Sequence, residues 1–290
     1  MRVSDATFYL RFLVGLGSSQ QTVERTLRDL ADGKRVRVVS DDPTGAPASL
    51  RLRARVVALD GYARSATSAR ADLATIDNAL GEVVNILASA RAEAMGGASV
   101  TSQGGNQARA TRLDGLREEL LGLANTNQNG RFLFAGTETL TLPFDATGAY
   151  FGDDAEAQAP IDTSEAVGGT VSGRRAFLTG GDLFQRLAVL SQDLRTGNTA
   201  GIEAAVTALR DDITRVADLH AEIGTRLQRI DTAMARHGDE EVLLRQRIGE
   251  IEDADLAAVT LELQSATTSR TALSQTAARV LGRSLFDYLG

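Results

Sequence analysis

The placement of proline is the feature that most constrains what this chain can fold into. Only four prolines occur in 290 residues, and they lie at two places: Pro43 and Pro47, then Pro143 and Pro160. The intervals between and after them, 48–142 and 161–290, contain none. Because proline disrupts a helix interior, proline-free intervals of this length permit long uninterrupted helices. The chain is therefore predicted to be mainly α-helical.

Both proline-free intervals carry the hydrophobic repeat of a coiled coil. Apolar residues recur in alternating steps of four and three from Leu59 to Ala94 and again from Ile202 to Met234, and a shorter helix repeats leucine from Leu113 to Leu123. This 3.5-residue period keeps one narrow stripe of each helix facing a partner. The pattern predicts a long antiparallel coiled-coil-like helical rod.

The two ends of the chain repeat this stepping and are predicted to pair antiparallel with each other. Aromatic side chains at both ends suggest two interpretations: a small core between the terminal helices, or a surface that is buried when subunits assemble. Assembly is favoured because exposed aromatic clusters suit a soluble monomer poorly. The predicted assembly residues are Phe8, Tyr9, Phe12, Leu13, Leu16, Val23, Leu27, Leu30, Leu256, Val259, Leu263, Arg270, Leu273, Val280, Leu285, Phe286 and Tyr288. For Arg270, two roles stay open: a side chain reaching out of the stripe, or an ion pair with a neighbouring subunit.

The middle of the chain differs in character. Nine glycines and two of the four prolines lie within 130–184, and short runs with aromatic and β-branched residues alternate with the glycines, which predicts hairpins. The predicted organisation has three parts: 1–40 with 255–290 as paired terminal helices, 41–130 with 185–254 as the helical rod, and 131–184 as a small inserted β-rich domain.

Composition excludes several classes of site. The chain has no cysteine, two histidines and a net charge of −7, which argues against disulfide scaffolds, thiolate zinc sites, cysteine nucleophiles and generic nucleic-acid binding. No nucleotide loop or catalytic constellation is present, so no enzyme activity, cofactor or metal is predicted. No stretch approaches the ~18 apolar residues of a membrane span, and the N-terminus lacks the features of a cleaved signal peptide.

Isolated polar residues are given ordinary structural roles. Asp41 and Asp42 are expected to cap a helix that starts near Pro43. The pair Asp211 and Asp212 is expected on a solvated face. His220 is predicted to be a polar residue in the helical stripe, and His237 an exposed residue where the helix breaks.

Several motifs resemble those of the bacterial flagellin superfamily. Its N-terminal signature is similar to Leu27-x-x-Leu30-Ala31-Asp32-Gly33-Lys34-Arg35-Val36 followed by Ser40-Asp41-Asp42-Pro43. Near the other end, Ile223-Gly224-Thr225-Arg226-Leu227-Gln228-Arg229 resembles a turn in the C-terminal half of the family. The run Ile251-Glu252-Asp253-Ala254-Asp255-Leu256 resembles the entry to the family's last helix. The run around Asn125, with Asn129-Gly130-Arg131-Phe132-Leu133-Phe134-Ala135-Gly136, resembles the hook-associated members of the superfamily. The extra proline, Pro47, departs from the family pattern.

The resemblance implies a structural role and a set of partners. It implies an adaptor between the flagellar hook and filament, exported through the type III apparatus without signal cleavage, with terminal helices that fold on assembly. The implied partners are a hook-side junction protein, flagellin subunits, other copies in a ring, and an export chaperone on the C-terminal helix. The implied location is the extracellular flagellum.

Two other functions are weighed against this one. A filament flagellin would polymerise by itself onto seeds, whereas an adaptor stops after a limited layer. A soluble signalling coiled coil would form stable folded dimers in solution and would lack the β-rich insertion.

Overall fold

A computed structural model of the chain describes residues 2–98 and 103–289, with the side chains of residues 7, 10–98 and 105–276. The helices are α1 Arg2–Asp32, α2 Gly45–Ala98, α3 Gln103–Ala124, α4 Leu183–Thr196, α5 Thr199–Glu252 and α6 Leu256–Leu289. The strands β1 Asn127–Gln128 and β2 Arg131–Phe132 form one antiparallel pair, and β3 Gln158–Pro160 and β4 Ala166–Gly168 form another. The predicted fold class, mainly α with a small β-containing insertion, is confirmed.

The chain forms two compact units. Residues up to Val57 and from Glu240 onward make the first, called the terminal unit here, and Ala58–Asp239 makes the second, called the central unit. None of the described helices is long and apolar enough to cross a membrane.

The core of the central unit follows the predicted stripes. Along α2, Leu73, Ile76, Leu80 and Leu87 are fully buried at the expected steps, and α5 contributes a matching buried series. That series comprises Ile202, Leu209, Val216, Ile223 and Ile230. The 3.5-residue period therefore identified the buried sides of both long helices.

Aromatic side chains organise the middle of the chain. Phe144 lies 5.4 Å from Phe177 and 5.1 Å from Phe184, ring centre to ring centre, and all three are buried. A π-helix at Arg174–Leu178 carries Phe177 into this cluster. Regular β structure in this region amounts to the two short antiparallel pairs and isolated bridges such as Phe144 with Tyr150. Aromatic packing, more than sheet hydrogen bonding, therefore holds this segment on the helices.

Two predictions for polar residues are wrong. Helix α5 continues through His237 to Glu252, and His237 is 4% exposed. Neither ring nitrogen has a hydrogen-bond partner among the described residues, although Nε2 lies 3.8 Å from an Asp162 carboxylate oxygen. Asp212 is 3% exposed, not solvated, because Arg186 reaches it at 2.7 Å. Burial raises the pKa of Asp212, and the guanidinium groups of Arg186 and Arg215 oppose that rise.

Candidate assembly interface

Helices α1 and α6 pack side by side in the terminal unit, running in opposite directions. The Ser19 hydroxyl donates to the Ala266 carbonyl over 3.2 Å, and Arg25 forms a 2.7 Å ion pair with Glu262. The contacts advance along α1 as they recede along α6. This is the antiparallel pairing that the terminal stripes predict.

The side of α1 that faces α6 is shifted from the predicted stripe. Val23 is 6% exposed and Thr26 is fully buried. The Thr26 hydroxyl donates to the Thr22 carbonyl at 2.8 Å, so its burial leaves no donor unsatisfied. Leu27 and Leu30 remain 48% and 37% exposed. Both leucines are therefore only partly covered within one chain, and their place in an assembly surface stays a prediction.

Other apolar side chains on α1 are also turned to solvent. Leu10 is 62% exposed, Val14 is 71% exposed and Leu13 is 43% exposed. Phe12 and Leu16 are half-buried. In a single chain, α1 thus has one side against α6 and a second apolar side that the chain itself leaves uncovered.

The predicted stripe on α6 is covered in part. Val259 and Ala266 are each 9% exposed, and Leu263 lies half-buried between them. Leu273 is also half-buried, while Leu256 and Arg270 are exposed. The side chains of Phe8, Tyr9, Val280, Leu285, Phe286 and Tyr288 lie outside the described residues.

A tight connector follows α1. Gly33 adopts φ 66°, the left-handed conformation that commonly ends a helix. The Ala254 amide donates to the Gly33 carbonyl at 2.9 Å, and the Arg35 amide donates to the Glu252 carbonyl at 2.7 Å. The backbone of the connector is therefore bound to the end of α5 and the turn into α6.

The Glu252 carboxylate forms the ionic centre of this connection. Its side chain is 5% exposed and accepts from Lys34 Nζ at 3.0 Å and from Arg53 Nε at 2.8 Å, with a second Arg53 contact alongside. The Arg53 hydrogen bonds, helped by Lys34, lower the pKa of Glu252 to about 2 despite its burial. Glu252 thus joins the connector, α2 and α5.

The adjoining aspartates satisfy backbone donors, but Asp42 alone caps the start of α2 as the sequence predicts; for Asp41 the prediction of a helix cap is wrong, because it binds the Arg37 and Val38 amides of the connector. The Asp42 carboxylate accepts from the amides of Gly45, at 2.8 Å, and Thr44, at 3.1 Å. Helix α2 begins at Gly45, two residues after Pro43. The amide hydrogen bonds, from Gly45 first, lower the pKa of Asp42 to about 2. Asp41 accepts from the amide of Arg37 at 2.9 Å, which shapes the connector.

The second group of predicted motif residues lies in the central unit. The Asn125 amide group donates to the Phe144 carbonyl at 2.9 Å and accepts from its amide at 3.0 Å. Asn129 and Gly130, at φ 53° and 81°, form the two-residue turn between β1 and β2. Gly136 adopts φ 74°, and a Cβ there would overlap the Asp153 carboxylate. These residues shape the backbone of the middle segment.

Arg131 and Phe132 occupy β2, half-buried, with Arg131 3.5 Å from Asp72 of α2. Phe134 is buried 5.2 Å from the Phe177 ring centre in an edge-to-face contact. In the described part of the chain, no three histidine or carboxylate side chains converge as ligands for a metal ion.

Sequence reasoning missed Arg53, Thr26 and Asp29. Arg53 lies outside the heptad stripes and its charged partner is 199 positions away, so no local pattern predicts the pair. Asp29 is buried because Arg37 Nη2 donates to it at 2.8 Å. For Arg53, the sequence feature that could have indicated an ionic role is the high density of arginine between residues 51 and 55.

Comparison with known proteins identifies sequences that this chain resembles. Residues 3–139 match the family model of the bacterial flagellin N-terminal helical region. The chain is 27% identical to flagellar hook-associated protein 3 of Salmonella typhimurium, over 88% of this chain and 89% of that protein. It is 26% identical to flagellar hook-associated protein 3 of Escherichia coli, over 100% of this chain and 98% of that protein.

A solved structure supports the same fold. The flagellar junction protein FlgL from Legionella pneumophila superposes with a TM-score of 0.61 at 14% identity, over 71% of this chain and 100% of that one. By sequence, the chain thus resembles the bacterial flagellin N-terminal helical region over residues 3–139 and flagellar hook-associated protein 3 over most of its length.

Proposed function

We propose that this protein is a structural adaptor that joins the flagellar hook to the flagellin filament. Both curated relatives are named flagellar hook-associated protein 3, and each matches most of this chain. The proposed partners are a hook-side junction protein on one side, flagellin subunits on the other, and further copies of the chain in a ring. The proposed location is the extracellular flagellum.

The observation that carries the proposal is the uneven exposure of apolar side chains. Among the described residues, thirteen of the eighteen large exposed hydrophobic side chains lie in the terminal unit. They include Val14 on α1, Val57 on α2 and Leu261 on α6, each more than 60% exposed. Apolar surface of this extent is typical of a protein that buries it against partners. Assembly, with terminal helices that complete their folding against neighbours, supplies that burial.

Export completes the proposal. A chain that must leave the cell and fold at a distant growing tip has to travel unfolded, and helices whose apolar sides are unfilled in the single chain suit such coupled folding and assembly. We propose export through the flagellar type III apparatus without a cleaved signal, with a chaperone covering the C-terminal helix, 256–288, until export.

The test is a clean gene deletion, examined by electron microscopy of the cells and by assay of flagellin in the medium. We expect bare hooks, with unpolymerised flagellin released into the medium. Restoration of filaments by the native gene in trans is the control.

The other outcomes separate the competing functions. Bare hooks with no flagellin in the medium would identify the chain as the filament protein itself. Normal filaments and swimming, in a strain with no second copy of the gene, would contradict the adaptor function and leave the soluble coiled coil.

A further inference from the structure

The turn between β1 and β2 contains the one Asn-Gly sequence of the chain, Asn129-Gly130. Both residues are exposed, and their φ angles of 53° and 81° are those of a type I′ hairpin turn. A side chain at Gly130 would meet open space. Each of the other six asparagines precedes a residue that has a side chain. The backbone nitrogen that follows Asn129 is therefore the least shielded of its kind.

Asparagine is a chemically labile residue, and an Asn-Gly sequence favours loss of its side-chain amide. The Gly130 N–H gives its proton to water or hydroxide, and the nitrogen then attacks Cγ of Asn129. A C–N bond forms, the bond from Cγ to the amide nitrogen breaks, and that nitrogen takes up a proton and leaves as ammonia. Water opens the resulting succinimide at either carbonyl, which gives aspartate or isoaspartate. One water is consumed and one ammonia is released, with no oxidation or reduction.

The conformation of the folded turn opposes this reaction. The ring closes only when the Gly130 nitrogen lies beside Cβ, as seen along the Cα–C bond of Asn129. A type I′ turn sets ψ of its first central residue to about 30°, which places that nitrogen nearly opposite Cβ. The turn must therefore open before the ring can form.

A hydrogen bond from the attacking group adds a second restraint. The Gly130 N–H donates to Oδ1 of Asn127 at 2.9 Å. This bond keeps the proton on the nitrogen and holds the turn closed. Asn127 is itself exposed, so its side chain can be changed without leaving a cavity in the core.

Other contacts fix the hairpin to α2. The Thr75 hydroxyl donates to Oε1 of Gln128, and Nη1 of Arg131 lies 3.5 Å from the Asp72 carboxylate. Neither contact uses the side chain of Asn127. A substitution at Asn127 should therefore loosen the turn without releasing the hairpin.

We infer that Asn129 is a deamidation site of the folded chain, and that Asn127 restrains the reaction by binding the Gly130 N–H. The co-reactant is water. Isoaspartate would insert the Cβ methylene of residue 129 into the backbone of the loop. The lengthened loop would no longer fit the type I′ geometry that pairs Gln128 with Arg131. The inference is independent of the adaptor function.

The test incubates folded full-length chains in mildly alkaline buffer and digests samples at acid pH, where the reaction is slow. Mass spectrometry of the peptides locates each replacement of an amide by a carboxylate. We expect Asn127→Ala to deamidate Asn129 roughly two- to tenfold faster than the native chain, the factor that corresponds to one exposed hydrogen bond. Asn127→Asp keeps an oxygen acceptor for the Gly130 N–H, and we expect it to react no faster than the native chain.

Three controls separate the restraint from other effects. In urea, the native chain and Asn127→Ala should react at one common, higher rate, because the folded contact is absent from both. Asn129→Gly, which a type I′ turn accepts, should remove the signal. The Leu133 amide donates to the Thr126 carbonyl at 3.1 Å. Its hydrogen exchange in Asn127→Ala should stay within about twofold of the native rate, as for a surface substitution.

The other outcomes overturn the inference. Equal rates for the folded native chain and Asn127→Ala, or no reaction in either while the urea samples react, would remove the role of Asn127. Acceleration by Asn127→Asp would also remove it. Faster deamidation together with loss of protection at Leu133 would mean that the whole hairpin opens. Earlier reaction of another asparagine in the folded native chain would assign the site elsewhere. The adaptor function is unaffected by any of these results.

Discussion

Glu252 is the single residue through which the connector, α2 and α5 are joined, so its charge has a predictable effect. Glu252→Gln keeps the shape and removes the charge that Lys34 and Arg53 share. Because both cations are half-exposed and can return to water, we expect a loss of about 1–3 kcal/mol of local stability at neutral pH. Hydrogen exchange of the Arg35 and Val36 amides, which donate to the Glu252 carbonyl, measures this loss.

The pH dependence of the same site follows from its lowered pKa. The folded pKa is about 2 and the ordinary value is 4.5. The contribution of the carboxylate is therefore complete above 4.5 and is lost as the pH falls toward 2. The difference between native chain and Glu252→Gln should shrink over that range. Glu250→Gln, an exposed carboxylate two residues away, is the control and should change protection little; an equal effect of both variants would contradict the role of Glu252.

Two glycines with similar backbone conformations predict different costs of an added methyl group. Gly130 and Gly136 have φ of 81° and 74°, and a Cβ at Gly130 meets open space, whereas one at Gly136 overlaps Asp153. We expect Gly130→Ala to cost about 1–2 kcal/mol, the penalty of a left-handed conformation, and Gly136→Ala to cost more. Urea unfolding of the full chain measures both. Equal costs would show that the Asp153 carboxylate and the carbonyl oxygens of Asp153 and Ala155, which also lie within 3 Å of the added Cβ, move aside freely.

At the scale of elements, α1 has two sides with separate tasks. Val23 faces α6 and Leu27 faces solvent, so one aspartate substitution on each side separates them. Val23→Asp should cost at least about 2 kcal/mol, because a charge is placed in the α1–α6 contact, and hydrogen exchange along α1 should rise. Leu27→Asp should change the stability measured by that exchange only as much as an ordinary surface substitution does, by about ±0.5 kcal/mol.

The two substitutions should affect assembly in the opposite order to their effects on the stability of α1. If the outer side of α1 is an assembly surface, Leu27→Asp should reduce the amount of the protein recovered with isolated flagella even though its isolated fold is unchanged. Recovery equal to that of the native chain would remove Leu27 from the assembly surface. Glu24→Asp, a conservative change on an exposed position of α1, controls for handling.

The sequence predicts an element well where apolar spacing alone decides its burial. The stripe of α2 from Leu59 to Ala94 is buried as predicted except at Tyr62, which is half-buried, because apolar contacts decide the placement of the other residues. On α1 the prediction shifts, since Thr26 is buried by bonding its own helix and Asp29 by binding Arg37. The spacing of apolar residues does not reveal such hydrogen-bond and ion-pair partners. Asp212 escaped prediction for the same reason, because distant or unpatterned arginines reach it.

The candidate assembly interface is harder to predict than the fold. Local features, such as the Asp42 cap at the start of α2 and the Asn129-Gly130 turn, depend on a few adjacent residues. They can therefore be predicted directly from the sequence. The ionic contacts of Glu252 depend instead on its partner Lys34, which is 218 positions away in the sequence. Contacts of that range exist only once α5 and α6 have returned to the connector.

At the scale of the whole molecule, the apolar core lies in one continuous stretch of chain. Every residue of the main buried cluster falls between Ala66 and Ala233, inside the central unit. Hydrophobic burial is the dominant favourable term in folding. A fragment of residues 58–239 is therefore expected to fold by itself, with helical circular dichroism and a single cooperative thermal transition. Analytical ultracentrifugation should show it as a monomer.

The terminal unit should behave differently, because its two halves come from opposite ends of the chain. A fragment of residues 1–57 lacks α6 and Glu252 and should show little cooperative structure, since its apolar stripe and the Lys34 ion pair have no mate. Adding a peptide of residues 240–290 should restore helix in proportion to binding. In this division, the central unit supplies the core, and the terminal unit, with its uncovered apolar surface, supplies the proposed assembly contacts. A fragment of residues 58–239 that is unfolded would contradict it. A fragment of residues 58–239 that joins flagella as well as the full chain does would also contradict it.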